Sequence, residues 1–277
     1  MKQTTAHDDF ERFHIGATKY AAYLETPEGR LRLDLALANL QEFLPQSTRA
    51  TRPLHALDLG GGTGAVAVRL ARLGFHVALL DASLPMLDYA RHATQEAGVA
   101  ERVALKQGDV TRFTDLFHTE SFDVIICHNI LEFVDDPGAV LRNAARAMRD
   151  PSSIISVLVR NRAGEVLKAA LLGGDLVAAE HTLTAEWGDE ALYGGRVRLF
   201  SPESLQAMLL ESSLEVTAER GVRVVSDYLP AKVHRSDEYD RIFELERKLG
   251  SHPKFAAVAR YTHCLAHRIG PVMKDLT

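Results

Sequence analysis

Four glycines fall within five residues, at Gly60, Gly61, Gly62 and Gly64, directly behind the apolar run LHALDL (54–59). A backbone stripped of side chains at that density lets a ligand approach the main chain closely. Two nucleotide cofactors use turns of this spelling. Gly60, Gly62 and Ala65 satisfy G-x-G-x-x-G/A, and Asp81 stands 21 residues after Gly60, the spacing of a dinucleotide site whose acidic residue takes the ribose. Asp58 argues for the other cofactor. A carboxylate two residues ahead of the turn opposes a pyrophosphate by like-charge repulsion. S-adenosylmethionine carries no phosphate and brings a sulfonium and an ammonium, which a carboxylate favours. The pattern D-x-G-x-G-x-G at Asp58, Gly60, Gly62 and Gly64 therefore matches a sulfonium methyl donor, with Asp81 on the ribose hydroxyls and Asp109 placed to reach the adenine amine. Asp81 and Asp109 each have a plainer reading as caps of the helices that follow them.

Methyl transfer from a sulfonium is an in-line displacement, so alignment and desolvation carry much of the barrier reduction. A carboxylate acceptor is already ionised at neutral pH and needs a cationic holder, whereas a hydroxyl or amine acceptor needs a base near its proton. His128 is the one obvious base candidate. Three readings of it stand side by side: a wall of the donor site, a base, or a packed core histidine. The cations are Arg32, Arg160, Arg223 and Arg235, whose forks suit a planar carboxylate or phosphate. Arg160 and Asn161 follow a strand where an acceptor would lie, and with Arg223, Tyr228 and Arg235 they form the candidate acceptor contacts; an arginine after a strand is equally often a surface cation. Phe13, Tyr20 and Tyr23 lie on an N-terminal helix and either close over the cofactor or make up that helix's apolar face.

The elements that position these residues follow from periodicity. Strands are expected at LHALDL (54–59), HVALLD (76–81), RVALKQ (102–107), FDVIICH (122–128) and SIISVLV (153–159), short apolar runs of the kind buried on both faces. Helices are expected between them at 63–73, 83–97, 111–117 and 137–148. Asp136-Pro137 is a capping residue followed by proline at the first helical position. Five strand-then-helix units imply a parallel, doubly wound α/β sheet, in which ligands sit beyond the carboxyl ends of the strands. The segment 161–198, rich in Ala, Leu and Gly and holding Trp187, reads as a lid-like insertion. Beyond it a helix is expected near 202–210, a strand near 214–225, a helix near 238–249 and an antiparallel strand near 256–269. The expectation is one domain over residues 1–277.

Bulk properties narrow the classes. The chain has 277 residues, 46% hydrophobic and 25% charged, the balance of a soluble globular enzyme. No run approaches the ~20 apolar residues of a membrane span, and the polar, acidic start MKQTTAHDDFERF is not a signal peptide. Cys127 and Cys264 lack metal or redox spacing, so no metal is expected and both thiols read as inert in a reducing cytoplasm. Net charge is −5, yet the segment 220–274 carries about eleven Lys and Arg against about six Asp and Glu. Such a basic stretch either attracts phosphates locally or is a set of ordinary solvated faces.

The strand, the glycine turn, the acidic end of the second strand, "GDV" (108–110) and "FDVIICHNILEFVDDP" (122–137) together resemble a class I S-adenosylmethionine-dependent methyltransferase. That resemblance implies a Rossmann-like fold and S-adenosylmethionine as cofactor. "GRLR" (29–32), "HNILEFVDDP" (128–137), "GVRVVSDYL" (221–229), "YDRIFELE" (239–246) and "ARYTHCLAHR" (259–268) resemble the bacterial wobble-uridine methyltransferases that esterify carboxymethoxyuridine in tRNA. The similarity implies donor contacts from Arg32, Gly60, Gly61, Asp81, Gln107, Gly108 and His128. Those enzymes carry a lysine-rich run after the fifth-strand insertion; here stands the acidic HTLTAEWGDEALYGG (181–195). The expected function is thus a methyltransferase acting on a carboxylate or other oxygen, with modified tRNA or a small molecule as acceptor. The reading of another class, a non-catalytic or NAD-binding nucleotide protein, is opposed by Asp58 and by HNILEF.

Overall fold

The computed structural model describes residues 6–45, 51–119, 121–190, 192–230, 233 and 236–270. Two helices, α1 (Ala6–Leu24) and α2 (Pro27–Gln41), precede the sheet. The alternating part runs β1 (His55–Leu59), α3 (Ala65–Arg72), β2 (His76–Asp81), α4 (Leu84–Glu96), β3 (Val103–Gln107), β4 (Val124–His128), α5 (Pro137–Ala147) and β5 (Ile154–Arg160). After it come α6 (Arg162–Leu171), α7 (Leu176–Thr182), β6 (Trp187–Asp189), β7 (Arg196–Arg198) and α8 (Pro202–Glu211). The chain continues through β8 (Leu214–Val222), α9 (Tyr239–Gly250), α10 (Pro253–Ala256) and β9 (Tyr261–Arg268).

Seven strands form one sheet in the order β3-β2-β1-β4-β5-β9-β8. The first five are parallel, and β9 runs antiparallel between β5 and β8, which makes this the mixed Rossmann-like sheet expected. Side chains alternate across it. Leu57, Leu59, Ile125, Cys127, Ile155 and Val157 pack on one face with residues of α5 and α8. Ala56, Val124, Ile126 and Ile154 pack on the other with residues of α3 and α4. The order reverses between β1 and β4, and that switch point opens the crevice where ligands bind.

Helix starts follow local chemistry. Ser83, Asp136 and Ser201 each accept a backbone N–H at an N-terminus with proline in the first turn, satisfying an otherwise orphaned donor. Two expectations are corrected. The helix expected at 111–117 is a 3-10 segment, Val110–Asp115, because Arg112 leaves helical dihedrals (φ −117°, ψ 18°). The last strand starts at Tyr261 rather than near 256, since Pro253–Ala256 is helical. The segment 161–198 is a helical pair, α6 and α7, followed by the two-stranded ribbon β6–β7. Among the described residues no helix is long and apolar enough to cross a membrane.

Candidate active site

A cleft of about 350 Å³ opens above the switch point, lined by the ends of β1, β2, β4 and β5, by Phe13 and Tyr20 of α1, by Arg32 of α2, and by Leu192, Tyr193 and Val197. The floor is the glycine turn. Gly60, Gly62 and Gly64 adopt left-handed φ of 66°, 53° and 78°, which only glycine takes without strain. Gly61 is excluded from carrying a side chain by proximity: a Cβ there would meet Leu79 at 2.6 Å and the Asp58 carboxylate at 2.8 Å.

That contact corrects the place of Asp58. It shares the α3 face of β1 with Ala56, is 3% exposed, and lies beneath the turn rather than in the cleft. Among the described residues its Oδ2 has no hydrogen-bond partner, and burial, with the charge of Asp81 adding to it, pushes its carboxyl up to about 7. Its influence on a bound cation therefore passes through the glycine turn as a field, not as a contact.

Asp81 does line the cleft. Its Oδ2 accepts the Gly62 amide at 2.9 Å and its Oδ1 the Ser83 amide at 2.8 Å, so one carboxylate holds both the turn and the start of α4. Burial raises its carboxyl despite those amides. Each oxygen keeps a further acceptor site. Asp109 also lines the cleft but is exposed, and its Oδ1 accepts both the amide and the hydroxyl of Thr111 at 2.8 Å; it is a cap whose other oxygen remains. Gly108 lines the cleft, while Gln107 is turned away, its amide donating to the Ala82 carbonyl at 3.3 Å.

At the other end stands Arg32. It is 7% exposed, donates to Asn129 Oδ1 at 2.8 Å and to the Tyr20 hydroxyl at 2.9 Å, and has the rings of Tyr20, Tyr23 and Tyr261 within 5.2–5.8 Å of its Cζ. Among the described residues no carboxylate pairs with it. Asn129 sits at φ 52°, an unusual conformation for a non-glycine residue and one that concentrates at functional sites. Its amide donates to Glu132 Oε1 at 3.0 Å, and the same oxygen accepts the Arg160 amide at 2.9 Å. Burial raises the Glu132 carboxyl.

His128 lines the cleft with one edge, while its Nε2 meets the Ser156 hydroxyl at 2.7 Å. Burial, followed by the proximity of His263 and Arg32, holds its pKa well below the usual range, so the ring is neutral. Tyr261 closes the same wall. It pairs with Arg160 across β5–β9. Burial would raise its phenol, but the surrounding Arg32, Arg160, Arg223 and Arg260 outweigh it and bring the pKa below the usual value.

The candidate acceptor contacts divide. Arg160 reaches the cleft, bound to Glu165 at 3.3 Å and Glu190 at 2.5 Å. Asn161 does not: it is fully buried, caps α6 at Ala163, and donates to the Ala257 and Ala259 carbonyls at 2.9 Å. Arg223 is 8% exposed, takes a left-handed φ of 62°, and is locked to Asp227 and the Tyr23 hydroxyl. Tyr228 donates to the Gly164 carbonyl at 3.4 Å and is absent from the lining. Arg235 lies outside the described residues. The roof is aromatic: Phe13, Phe133 and Tyr193 stack edge-on at 5.0–6.1 Å. Of the N-terminal aromatics, Phe13 and Tyr20 face the cleft and Tyr23 serves Arg223. Asn129, Glu132, Tyr193 and Tyr261 escaped sequence reasoning. Only the left-handed Asn after HN-type strand ends offered a signal, and it is a weak one.

Among the described residues no cluster of His, Cys, Asp or Glu is fit to hold a metal. The cleft fits S-adenosylmethionine: a carboxylate with spare acceptors at the end of β2, glycines at the switch point, and a buried guanidinium with no carboxylate partner, matched to an amino-acid carboxylate.

Comparison with known proteins agrees. Residues 51–246 match the family described as "Methyltransferase domain". The chain is 28% identical over 257 residues to the tRNA 5-carboxymethoxyuridine methyltransferase of Escherichia coli K12, covering 90% of this chain and 92% of that protein. It is 33% identical over 132 residues, about half of each chain, to the ubiquinone biosynthesis O-methyltransferase of Azorhizobium caulinodans. In fold it resembles a Thermotoga maritima S-adenosylmethionine-dependent methyltransferase, with a TM-score of 0.62, 15% identity, and coverage of 95% and 100% of the two chains. The chain belongs to the methyltransferase-domain family and is a class I methyltransferase whose cofactor is S-adenosylmethionine.

Proposed function

We propose that the protein methylates a carboxylate oxygen, its acceptor being the carboxymethoxy group of a modified wobble uridine in cytoplasmic tRNA. The observation that carries this reading is Tyr261: a cleft-lining phenol among Arg32, Arg160, Arg223 and Arg260. Three of these arginines share Glu165, Glu190 and Asp227, and Arg32 is reserved for the amino-acid carboxylate of the donor. The group offered to the acceptor is therefore the Tyr261 hydroxyl, whose pKa these cations lower and which suits an anionic oxygen as a hydrogen-bond donor. The near end-to-end similarity to the E. coli tRNA enzyme supports the same reading.

Bound S-adenosylmethionine supplies an electrophilic methyl group. The chain's own residues do the rest. Arg32, Asp81, Asp109, Gly60, Gly62, Gly108 and His128 hold the donor, and Asp58 acts from under the turn. Arg160 and Tyr261 face the acceptor. An ionised carboxylate has no proton to lose, which suits a site whose histidine is neutral and bound through Nε2. The aromatic roof excludes water, and a dry site leaves the acceptor carboxylate poorly solvated and so more reactive. Residues 1–277 act as a single domain, with 161–198 as its lid.

Incubating the purified protein with S-adenosylmethionine and tRNA carrying carboxymethoxyuridine, followed by nucleoside mass spectrometry, tests the proposal; the methyl ester is the expected product. A second reading, a small-molecule oxygen acceptor, draws on the half-length similarity to the ubiquinone enzymes and on the exposed acidic rim of Asp109 and Asp135. An unmodified nucleoside together with methylation of a small carboxylate or phenol would favour it.

A further inference from the structure

Four buried or half-buried side chains from four different elements form a continuous hydrogen-bonded line that ends in the cleft. Asn39 of α2 meets His263 of β9 through Nδ2 and Nδ1 at 3.3 Å. His263 Nε2 meets the Ser156 hydroxyl of β5 at 2.7 Å, and that hydroxyl meets Nε2 of His128 at 2.7 Å. Asn39, Ser156 and His263 are 4%, 0% and 0% exposed, so water does not interrupt the line. Burial brings His263 down to about 3, with Arg220 adding to the effect; both imidazoles are neutral and each carries one N–H.

The polarity of the line is set at its far end. An amide nitrogen only donates, so Nδ1 of His263 is the acceptor and its proton sits on Nε2. That N–H donates to Ser156 Oγ, and since the Ser156 hydroxyl has no other side-chain or backbone partner among the described residues, its hydrogen donates to His128 Nε2. His128 must then carry its own proton on Nδ1. Nε2 is committed within the line, and Nδ1, the other ring nitrogen, has no partner among the described residues while the ring lines the cleft.

We propose that Asn39, His263 and Ser156 are positioning residues that fix the tautomer of His128, so that it presents an N–H and not a lone pair to the bound ligands. His128 in that state donates to an anionic oxygen and is unable to take a proton from the acceptor. The selection of one tautomer by the hydrogen bond made at the other ring nitrogen is general for histidine. The inference rests on the line of contacts and holds for either acceptor class.

The test is nitrogen-15 NMR of the histidine rings in the full-length protein at neutral pH. In the wild type, His128 Nδ1 and His263 Nε2 are expected in the protonated, pyrrole-type range, and the other two nitrogens in the unprotonated range. The opposite tautomer at His128, or a mixture, would overturn the proposal. Ser156→Ala deletes the link and leaves a small void; His128 is expected to become a tautomer mixture while His263 keeps its state. Asn39→Asp replaces the donor by an acceptor and is expected to invert both rings, moving the His128 proton to Nε2 and exposing a lone pair. A single Nδ1–H tautomer at His128 persisting in Ser156→Ala, or wild-type tautomers at both rings in Asn39→Asp, would show that the line does not direct the ring. Isosteric Ser156→Cys, folded with a weak S–H donor, should restore part of the bias lost in Ser156→Ala.

Discussion

Arg32 and Asn129 join α2 to the end of β4, the guanidinium donating to the amide oxygen at 2.8 Å, and among the described residues no carboxylate neutralises that buried cation. An uncompensated charge in the interior is costly for folding and is kept where a ligand supplies its partner. Arg32→Met should therefore separate binding from stability. The affinity for S-adenosylhomocysteine, measured by calorimetry, is expected to fall roughly 10–100-fold, the worth of one charge-assisted bond. The melting temperature should change little. Unchanged affinity with a large loss of stability would make Arg32 a structural residue.

Asp81 ends β2 and Asp109 follows β3, both at the cleft, yet their surroundings predict unequal effects. Asp81 is bound by two amides and keeps acceptor sites on both oxygens, whereas Asp109 spends one oxygen on Thr111 and is exposed. Asp81→Ala should weaken the methyl donor by several-fold to about a hundredfold, and Asp109→Ala by no more than about tenfold. NAD should bind to neither variant nor to the wild type. Calorimetry of the three proteins against both cofactors checks the ranking, and NAD binding without a response to the methyl donor would remove the basis of the assignment.

Asp58 makes stability depend on pH in an unusual direction. Its carboxyl is pushed up to about 7 in the native state from a reference value of 3.8. Between those values the native chain binds more protons than the unfolded chain, so this group's contribution falls as pH rises through the window and is least favourable above it. Asp58→Asn keeps the shape and removes the charge. It should be more stable than the wild type at pH 8, by roughly 1–3 kcal/mol, and about equal at pH 4. Denaturant unfolding at both pH values measures this; a constant difference between the two proteins would contradict the buried charge.

The parallel half of the fold was readable because its signals are local. Strands buried on both faces are short apolar runs, and Asp136-Pro137 or Ser201-Pro202 announces a helix within a few residues. The glycine turn and Asp81 belong to one strand-turn-helix unit, so their meeting at the cleft needs no long-range information. Tyr261 is different. It reaches the site because β9 runs antiparallel in register with β5, opposite Arg160, and no local pattern specifies that pairing. Arg223 and Asn161 mislead for the opposite reason: their types suggest anion or ligand contacts, but Asp227, Tyr23 and the carbonyls of Ala257 and Ala259 already occupy them. Asp58 stands directly ahead of the turn, as its spacing implies, but strand alternation turns it toward α3 and beneath the glycines rather than into the cleft.

Binding of the proposed tRNA acceptor is expected to draw on the basic residues near the C-terminus, and the structure limits which of them serve. Arg223 is buried and withdrawn, and Lys232 and Arg235 lie outside the described residues. Arg241, Lys248 and Lys254 are exposed. Arg247 is half-buried and answers Glu42 at 3.4 Å and Glu244 at 3.8 Å. Each phosphate contact adds close to one unit to the slope of log affinity against log salt. Weak binding with a slope of about −2 to −4 is therefore expected. The double change Arg247→Ala, Lys248→Ala should reduce that slope by about one unit, since Arg247 is already matched by Glu42 and Glu244 and among the described residues no acid matches Lys248. Donor affinity should not move, because α9 contributes nothing to the cleft lining. Fluorescence titration of tRNA at several salt concentrations reads the slope directly. Binding too weak to detect even at low salt would count against a tRNA acceptor, and the acidic rim of the cleft would then be read as a boundary selecting a small molecule.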